Sequence, residues 1–248
     1  MAGELIDLLW RDHAEAPAAP RRGPAARRTT GEVVAQAIAL ADEAGLAAVT
    51  VRALAQRLGM TPMSVYTYMN SRDDLLVLMA DEAHRRMATG APGDGEWRAG
   101  LHRIAMENRA LLAVHPWLGA IDDPRTALGP GTIAKYDREL HAFDGTALDD
   151  LARDAALSFL LDFVRSSAER AGGAERSHEF PDAWAEAAPR LARYLGDGYP
   201  LARRVGAAAG ETMNGPYDPG FAWTFGLERV LDGIGSAVEA AEQGASPR

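Results

Sequence analysis

Between residues 20 and 72 the chain carries seven arginines, at positions 21, 22, 27, 28, 52, 57 and 72. Only three acids, Glu32, Asp42 and Glu43, share that stretch, so its local balance is +4 in a chain of net charge −9. A basic segment joined to an acidic body suits a polyanion partner for the first part and a separate task for the second. Around the arginines stand groups able to meet a nucleic-acid duplex. Pro62 and Met63 suit a thymine methyl, and Ser64 and Thr67 can hydrogen-bond base edges. Arg52 can reach a base or a phosphate, while Thr50, Tyr66, Tyr68 and Arg72 are spaced for phosphate oxygens. Arg21, Arg22, Arg27 and Arg28 can follow the backbone or enter a minor groove.

Short helices must position these groups, and their boundaries are readable. Thr29 and Glu32 form a capping box that opens a helix, with Val34, Ala37, Ile38 and Ala41 on one face. Gly45 supplies the left-handed stop. Thr50 caps a second helix striped by Val51, Leu54, Ala55 and Leu58, and Gly59 ends it. Thr61 caps a third, with Pro62 at the first helical position, where its missing N–H costs nothing. Ser71 caps a fourth, with Asp73 and Asp74 in the favourable first turn. Two short helices joined by a glycine turn describe a helix-turn-helix, whose second helix enters the major groove. A three-helix module used only for packing is the alternative on spacing alone.

The rest of the chain is also helical in pattern, so the expected fold class is all-α: an N-terminal three-helix helix-turn-helix domain plus a larger helical ligand-binding and dimerisation domain. The expected divisions are a flexible arm over 1–28, the helix-turn-helix domain over 29–72 and the helical body over 73–243. Helices are expected near 30–44, 51–58, 62–69, 72–88, 96–114, 130–143, 147–171, 182–195 and 220–242. A short helical turn is expected after Pro116, and glycine-rich loops at 90–95, 171–181 and 210–220.

The stretch TVRALAQRLGMTPMSVYTYMNSRDDLLVLMADE resembles the DNA-binding domain of the TetR/AcrR family. The pattern Thr-x-Arg-x-Leu-Ala-x-x-Leu-Gly, a short polar turn, Ser-x-Tyr-x-Tyr and an acid-rich helix start carries the likeness, over about a quarter of the chain. It implies base or backbone contacts for Arg52 and Ser64, and an exposed recognition face at Met63, Thr67 and Tyr68. It implies phosphate contacts for Tyr66 and Arg72. Pro62 with Met63 departs from the more polar residues of many relatives, which shifts base reading toward apolar contact. FGLERVLDGI, near the end, resembles the last helix of the tetracycline-repressor-like subgroup. The resemblance implies a homodimer on double-stranded operator DNA, answering to a small-molecule effector.

Two body segments are apolar on more than one side. Leu148, Leu151, Ala155, Phe159 and Phe163 mark one side of 147–171, and Leu157, Leu160, Leu161 and Val164 another, which predicts burial all round. In 220–242, Gly226, Gly233 and Gly235 are placed for close backbone approach. Two such helices per subunit suit a four-helix dimer interface; a monomeric core is the alternative. Candidate ligand-binding residues are Met106, Asn108, Trp117, Tyr136, Phe159, Asp162, Phe163, Trp184 and Tyr194. Asn108, Asp162 and Ser158 are polar groups in apolar helices, where burial would demand partners. Asp162 either receives a ligand amine or hydroxyl or pairs with an arginine across the dimer. The 171–181 loop is placed to gate the pocket.

Other chemistries find no footing. Cysteine is absent, which removes disulfides, thiolate ligands and thiol nucleophiles and fits a reducing cytoplasm. The six histidines form no pair at ligand spacing, so no metal and no cofactor is expected. There is no G-x-S-x-G, Walker loop, dinucleotide fingerprint or H-E-x-x-H, and no catalytic residue is assigned. No apolar run reaches a membrane span, and MAGELIDLLW lacks the basic flank of a signal peptide. The leading expectation is therefore a cytoplasmic ligand-responsive repressor, and the alternative a drug-sequestering or protein-binding helical module without DNA binding.

Overall fold

The computed structural model describes residues 2–16, 28–87, 96–176, 180–213 and 218–245. It is all-α, with an N-terminal helix-turn-helix domain and a larger helical C-terminal domain. The head is α2 (Thr30–Ala44), α3 (Val51–Leu58) and α4 (Pro62–Val65), preceded by α1 (Ala2–Leu9) and followed by α5 (Arg72–Arg85). The body continues through α6 (Trp97–Val114), α7 (Pro130–Leu140), α8 (Asp150–Arg176), α9 (Phe180–Leu195), α10 (Pro200–Met213) and α11 (Pro219–Ala245).

The head closes as its caps dictate. The Thr29 N–H donates to Glu32 Oε2 at 2.7 Å, and the Glu32 N–H donates to Thr29 Oγ1 at 3.1 Å. Thr50, Thr61 and Ser71 each accept one backbone N–H in the first turn of the helix they open. A cap of this kind contributes about 1 kcal/mol. Gly59 adopts φ 66°, the left-handed geometry needed to reverse the chain between α3 and α4. Val34, Ala37 and Ile38 of α2, Leu54 and Leu58 of α3, Val65, and Leu75 and Leu78 of α5 fuse into one core. The helix expected over 62–69 is shorter. After Val65 the chain tightens into i→i+3 bonds, Tyr68 N–H to Val65 O at 3.0 Å. The run of β-branched and aromatic residues from Val65 to Tyr68 favours helix poorly.

Three expectations require correction. The arm expected over 1–28 begins as a helix: Leu5 and Leu9 of α1 are buried in the head core, and Trp10 Nε1 donates to Leu128 O at 2.8 Å. Residues 17–27, including Arg21, Arg22 and Arg27, lie outside the described residues. The glycine-rich stretches at 171–181 and 210–220 are helical over 171–176 and 210–213, within α8 and α10. Alanine and arginine around the glycines outweigh the helix penalty of about 1 kcal/mol per glycine, and Pro200 opens α10 at a position that tolerates proline. Lastly, α8 is not buried all round. Its Leu157, Leu160 and Val164 join α6 and α11 in a second core, but Leu151 and Phe159 are 79% and 55% exposed. Gly226 and Gly235 do allow close packing, against Phe163 and Trp97, whereas a Cβ on Gly233 would meet open space among the described residues.

Head and body meet along a seam between α5 and α7. Gly129, at the N-cap of α7, brings no side chain to the helix start. The Asp81 carboxylate of α5 fills that place, accepting the Thr132 N–H at 2.9 Å. Burial pushes the Asp81 carboxyl up, and hydrogen bonds from Thr132 and Gly131 hold it back. A Cβ on Gly129 would collide with the Asp81 side chain, and one on Gly131 with the Asp81 carbonyl oxygen, which no rotamer change relieves. Gly131→Ala should therefore lower stability by about 2 kcal/mol or more, the cost of overpacking against backbone. Urea unfolding would measure it, and an unchanged midpoint would contradict the seam.

Candidate operator interface and effector-binding body

At one end of the head, α4 and the turn after it hold Pro62, Met63, Ser64, Tyr66 and Thr67 in solvent. Met63 is 76% exposed, an unusual position for an apolar side chain in a well-packed domain. Ser64 Oγ lies 2.9 Å from Thr61 Oγ1, so the two hydroxyls orient each other. The Thr50 hydroxyl accepts the Ala53 N–H at 3.1 Å and keeps its own proton to donate outward. Tyr68 turns partly inward against the head core.

The arginines divide into two groups. Arg52 is exposed and has no hydrogen bond or ion pair among the described residues. Arg57 is committed: its guanidinium meets both Glu43 oxygens at 2.6 Å and Gln36 Oε1 at 2.9 Å, tying α3 to α2. That pairing lowers the Glu43 carboxyl and raises the Arg57 guanidinium. Arg28 reaches the end of α3, donating to Leu58 O at 3.3 Å. Arg72, expected to contact phosphate, has a different duty. Its Nε donates to Val49 O at 2.9 Å and its Nη2 to Leu46 O at 3.0 Å, stapling the α2–α3 connection. Arg27 falls outside the described residues.

The nine candidate ligand residues do not converge on one place. Asn108 is buried, its Nδ2 donating to Ile104 O at 2.9 Å and Glu139 Oε1 at 2.7 Å. Phe163 stacks on Trp223 with ring centroids 5.5 Å apart. Trp117 is buried between head and body rather than at a pocket, its Nε1 donating to Asp42 Oδ1 at 2.6 Å. Asp162 and Phe159 lie on the solvent side of α8, because the core shared with α6 and α11 claims its opposite face. Met106 is 43% exposed on α6, Trp184 is half-buried on α9 and Tyr194 is 79% exposed. Tyr136 sits at the surface with its hydroxyl donating to Asp154 Oδ1 at 2.8 Å. It lines a cleft of about 220 Å³ with Asp137, Leu140, His141, Asp144, Asp150 and Arg153.

Around Asn108 the body holds a polar network that sequence reading missed. Lys135, the only lysine in the chain, is buried with its Nζ 2.7 Å from Glu139 Oε2. Burial pushes the Lys135 amine down, and Glu139 opposes that shift. His84 Nδ1 shares a 2.9 Å hydrogen bond with Thr132 Oγ1 across the α5–α7 seam. One signal was available: a lone lysine four residues before a glutamate within a helix of an apolar body. Every buried side-chain polar atom among the described residues is hydrogen-bonded. No group of three or more His, Asp or Glu among the described residues is placed to hold a metal, and no described helix is long and apolar enough to cross a membrane.

Known proteins share this organisation. Residues 33–79 match the family model for bacterial regulatory proteins of the tetR family, and residues 89–238 the tetracyclin repressor-like C-terminal domain. The HTH-type transcriptional repressor DrrR1 of Streptomyces coeruleorubidus is 34% identical over 236 residues, covering 92% of this chain and 84% of that protein. An HTH-type transcriptional repressor of Mycobacterium tuberculosis is 27% identical, covering 86% and 83%. Among solved structures, ActR of Streptomyces coelicolor in complex with actinorhodin superposes with a TM-score of 0.68 at 24% identity, over 86% of this chain and 99% of that one. These relatives are regulators rather than enzymes.

Burial lowers the His84 imidazole from its ordinary 6.5 to about 3, with the charges of Lys135 and Arg165 adding to the effect. The folded chain keeps this ring neutral, whereas the unfolded chain takes up a proton below about pH 6.5. The stability tied to it is therefore complete above pH 6.5 and is lost as pH falls toward 3, by about 1.4 kcal/mol per pH unit. His84→Asn should flatten the fall in unfolding free energy across that window relative to wild type. Equal slopes in the two proteins would contradict the burial of a neutral imidazole.

Proposed function

The chain belongs to the TetR family of bacterial transcriptional regulators, and we propose that it is a ligand-responsive repressor acting in the cytoplasm. In this reading a homodimer binds a palindromic operator, and a small hydrophobic or aromatic effector releases it. The observation that carries the reading is the exposed surface formed by Pro62, Met63, Ser64, Tyr66 and Thr67 beside the exposed Arg52. A recognition helix that opens on a capped proline presents its first residues to base edges, and flanking hydroxyls and arginine meet the backbone. ActR, whose fold this chain shares, was captured with actinorhodin, which supports a small organic effector here.

Exposed apolar side chains on α8 and α11 support the dimer. Phe159, Phe221 and Phe225 are each more than half exposed, and Leu151 is 79% exposed. Phe221 and Phe225 lie together with ring centroids 6.2 Å apart, and exposed apolar surface of this kind suits a protein interface. Two recognition helices about one DNA turn apart then read the two halves of a palindrome. The effector acts only through its difference in affinity for the DNA-competent and DNA-incompetent dimers.

Arg52→Ala should weaken binding to the operator duplex by about tenfold or more, the scale of one lost base or charged phosphate contact. Tyr66→Phe, which removes only a hydroxyl, should weaken it by about fivefold. Both side chains are exposed, so both variants should melt with the wild-type protein. Fluorescence anisotropy with a labelled duplex measures the effect. Wild-type affinity in either variant would remove that residue from the interface.

A further inference from the structure

Where α6, α8 and α11 meet, three side chains form a layered stack. Phe163 of α8 lies against Trp223 of α11, with ring centroids 5.5 Å apart and planes 28° from parallel. The Arg109 guanidinium of α6 covers the Trp223 ring, its carbon 4.4 Å from the ring centroid. Glycine at 226 makes room for the stack, since a Cβ there would overlap the Phe163 ring. Trp223 is buried in the second core, and Phe163 and Arg109 are half-buried at its edge.

Charge sets Arg109 apart. The chain carries a net charge of −9, and several other arginines of the body find an acid. Arg98 meets Glu228 and Asp232, Arg103 meets Glu107, and Arg229 meets Asp232. No carboxylate meets Arg109 among the described residues. The sequence keeps acids away from it. One turn to either side on α6 stand Ala105, Met106, Leu112 and Ala113. Phe163 is followed one turn on by Ser166 and Ser167, and Trp223 by Gly226 and Leu227. Stacking fixes the plane of a guanidinium and leaves its N–H donors, which lie in that plane, to point past the ring. Such a fork matches a carboxylate through two parallel hydrogen bonds. Apolar surface accompanies it: Met106, one turn before Arg109, and Phe159, one turn before Phe163, are both exposed. A single oriented charge in aromatic and apolar surroundings suits a small organic molecule.

We propose that Arg109 is the anion-binding residue of a ligand site at this stack, and that its ligand is a planar aromatic acid. The acid group meets the guanidinium fork, and the ring lies on the apolar surface of Met106, Phe159 and Phe163. That this ligand is also the effector rests on the repressor reading; the site itself does not. The neutral amide of the same ring fills the same surface but replaces one acceptor by a donor and carries no charge. Arg109 therefore separates the two.

Titration calorimetry on the full-length protein gives the test, with 2-naphthoate against 2-naphthamide and anthraquinone-2-carboxylate against its carboxamide. Wild type should bind each acid about tenfold or more tightly than its amide, the scale of a charge-assisted hydrogen bond. Arg109→Met keeps an unbranched chain over Trp223 without the charge. It should bind acid and amide about equally, with the amide held as in wild type. Arg109→Lys keeps the charge without the fork and should fall between. An arginine that only covers Trp223 would alter the melting temperature of the Met variant and leave the acid-to-amide ratio at its wild-type value. Equal binding of acid and amide by wild type would overturn the proposal. So would an acid preference that survives Arg109→Met, or no binding of either acid at millimolar concentration. The acids are then added to protein bound to a duplex selected from a randomised library. Release by an acid, lost in Arg109→Met, supports both the site and the repressor reading. Binding through Arg109 without release supports the site and overturns the ligand-responsive reading.

Discussion

Everything in this chain that joins recognition to regulation depends on one constraint: α7 must start against the flank of α5. The buried Asp81 carboxylate makes this possible by serving as the cap that Gly129 cannot supply. Glycine at 129 and 131 removes the side chains that would hold the two helices apart. Placing a carboxylate at a helix N-terminus also uses the helix dipole, which offsets part of the cost of burying charge. Because α5 supplies Leu75 and Leu78 to the head core and His84 to the seam, it belongs to both halves of the molecule. The head cannot reorient without disturbing that seam.

The polar interior follows from the same arrangement. Held against α5, α7 presents Lys135 and Glu139 toward α6, where Asn108 completes the network. A buried ion pair adds little net stability, but losing one partner leaves an uncompensated charge, which costs about 3–5 kcal/mol. Such a network is therefore sensitive to anything that inserts among its members. The apolar faces of α8 and α11 complete the arrangement. Trp223, Leu227 and Leu231 bury one side of α11, while Phe221 and Phe225 remain uncovered on the other, stacked 6.2 Å apart. The body thus combines a polar interior with an apolar outer face.

The head was legible because its determinants are local. Thr29, Thr50, Thr61 and Ser71 bond atoms three residues away, so their types and spacing announce each helix start. The body's polar network is less legible because its determinants are distant in sequence. Glu139 meets Asn108 across 31 residues, and His84 meets Thr132 across 48. Arg72 shows what local reading leaves out. Its position suggested a phosphate, but its acceptors are carbonyls 23 and 26 residues earlier, which no spacing reveals. The first helix escaped notice for a related reason. Eight residues make a marginal helix alone, and α1 persists through Leu5 and Leu9 buried against the head. The large aromatics expected to line a pocket lie apart because size and apolarity do not distinguish a pocket from a domain boundary, as at Trp117, or from an exposed face, as at Phe159.

The proposed function requires an acidic protein of net charge −9 to hold DNA through a small basic and hydroxylic surface. The most direct measurement is the affinity of the full-length chain for its selected duplex as salt concentration is varied. Phosphate contacts release counterions, so the logarithm of the affinity should fall linearly with the logarithm of salt, by about 0.9 for each phosphate neutralised. A steep line corresponding to several phosphates, with tighter binding to the selected duplex than to a scrambled one, is the result this account predicts. A flat line, or equal affinity for both duplexes, would contradict it.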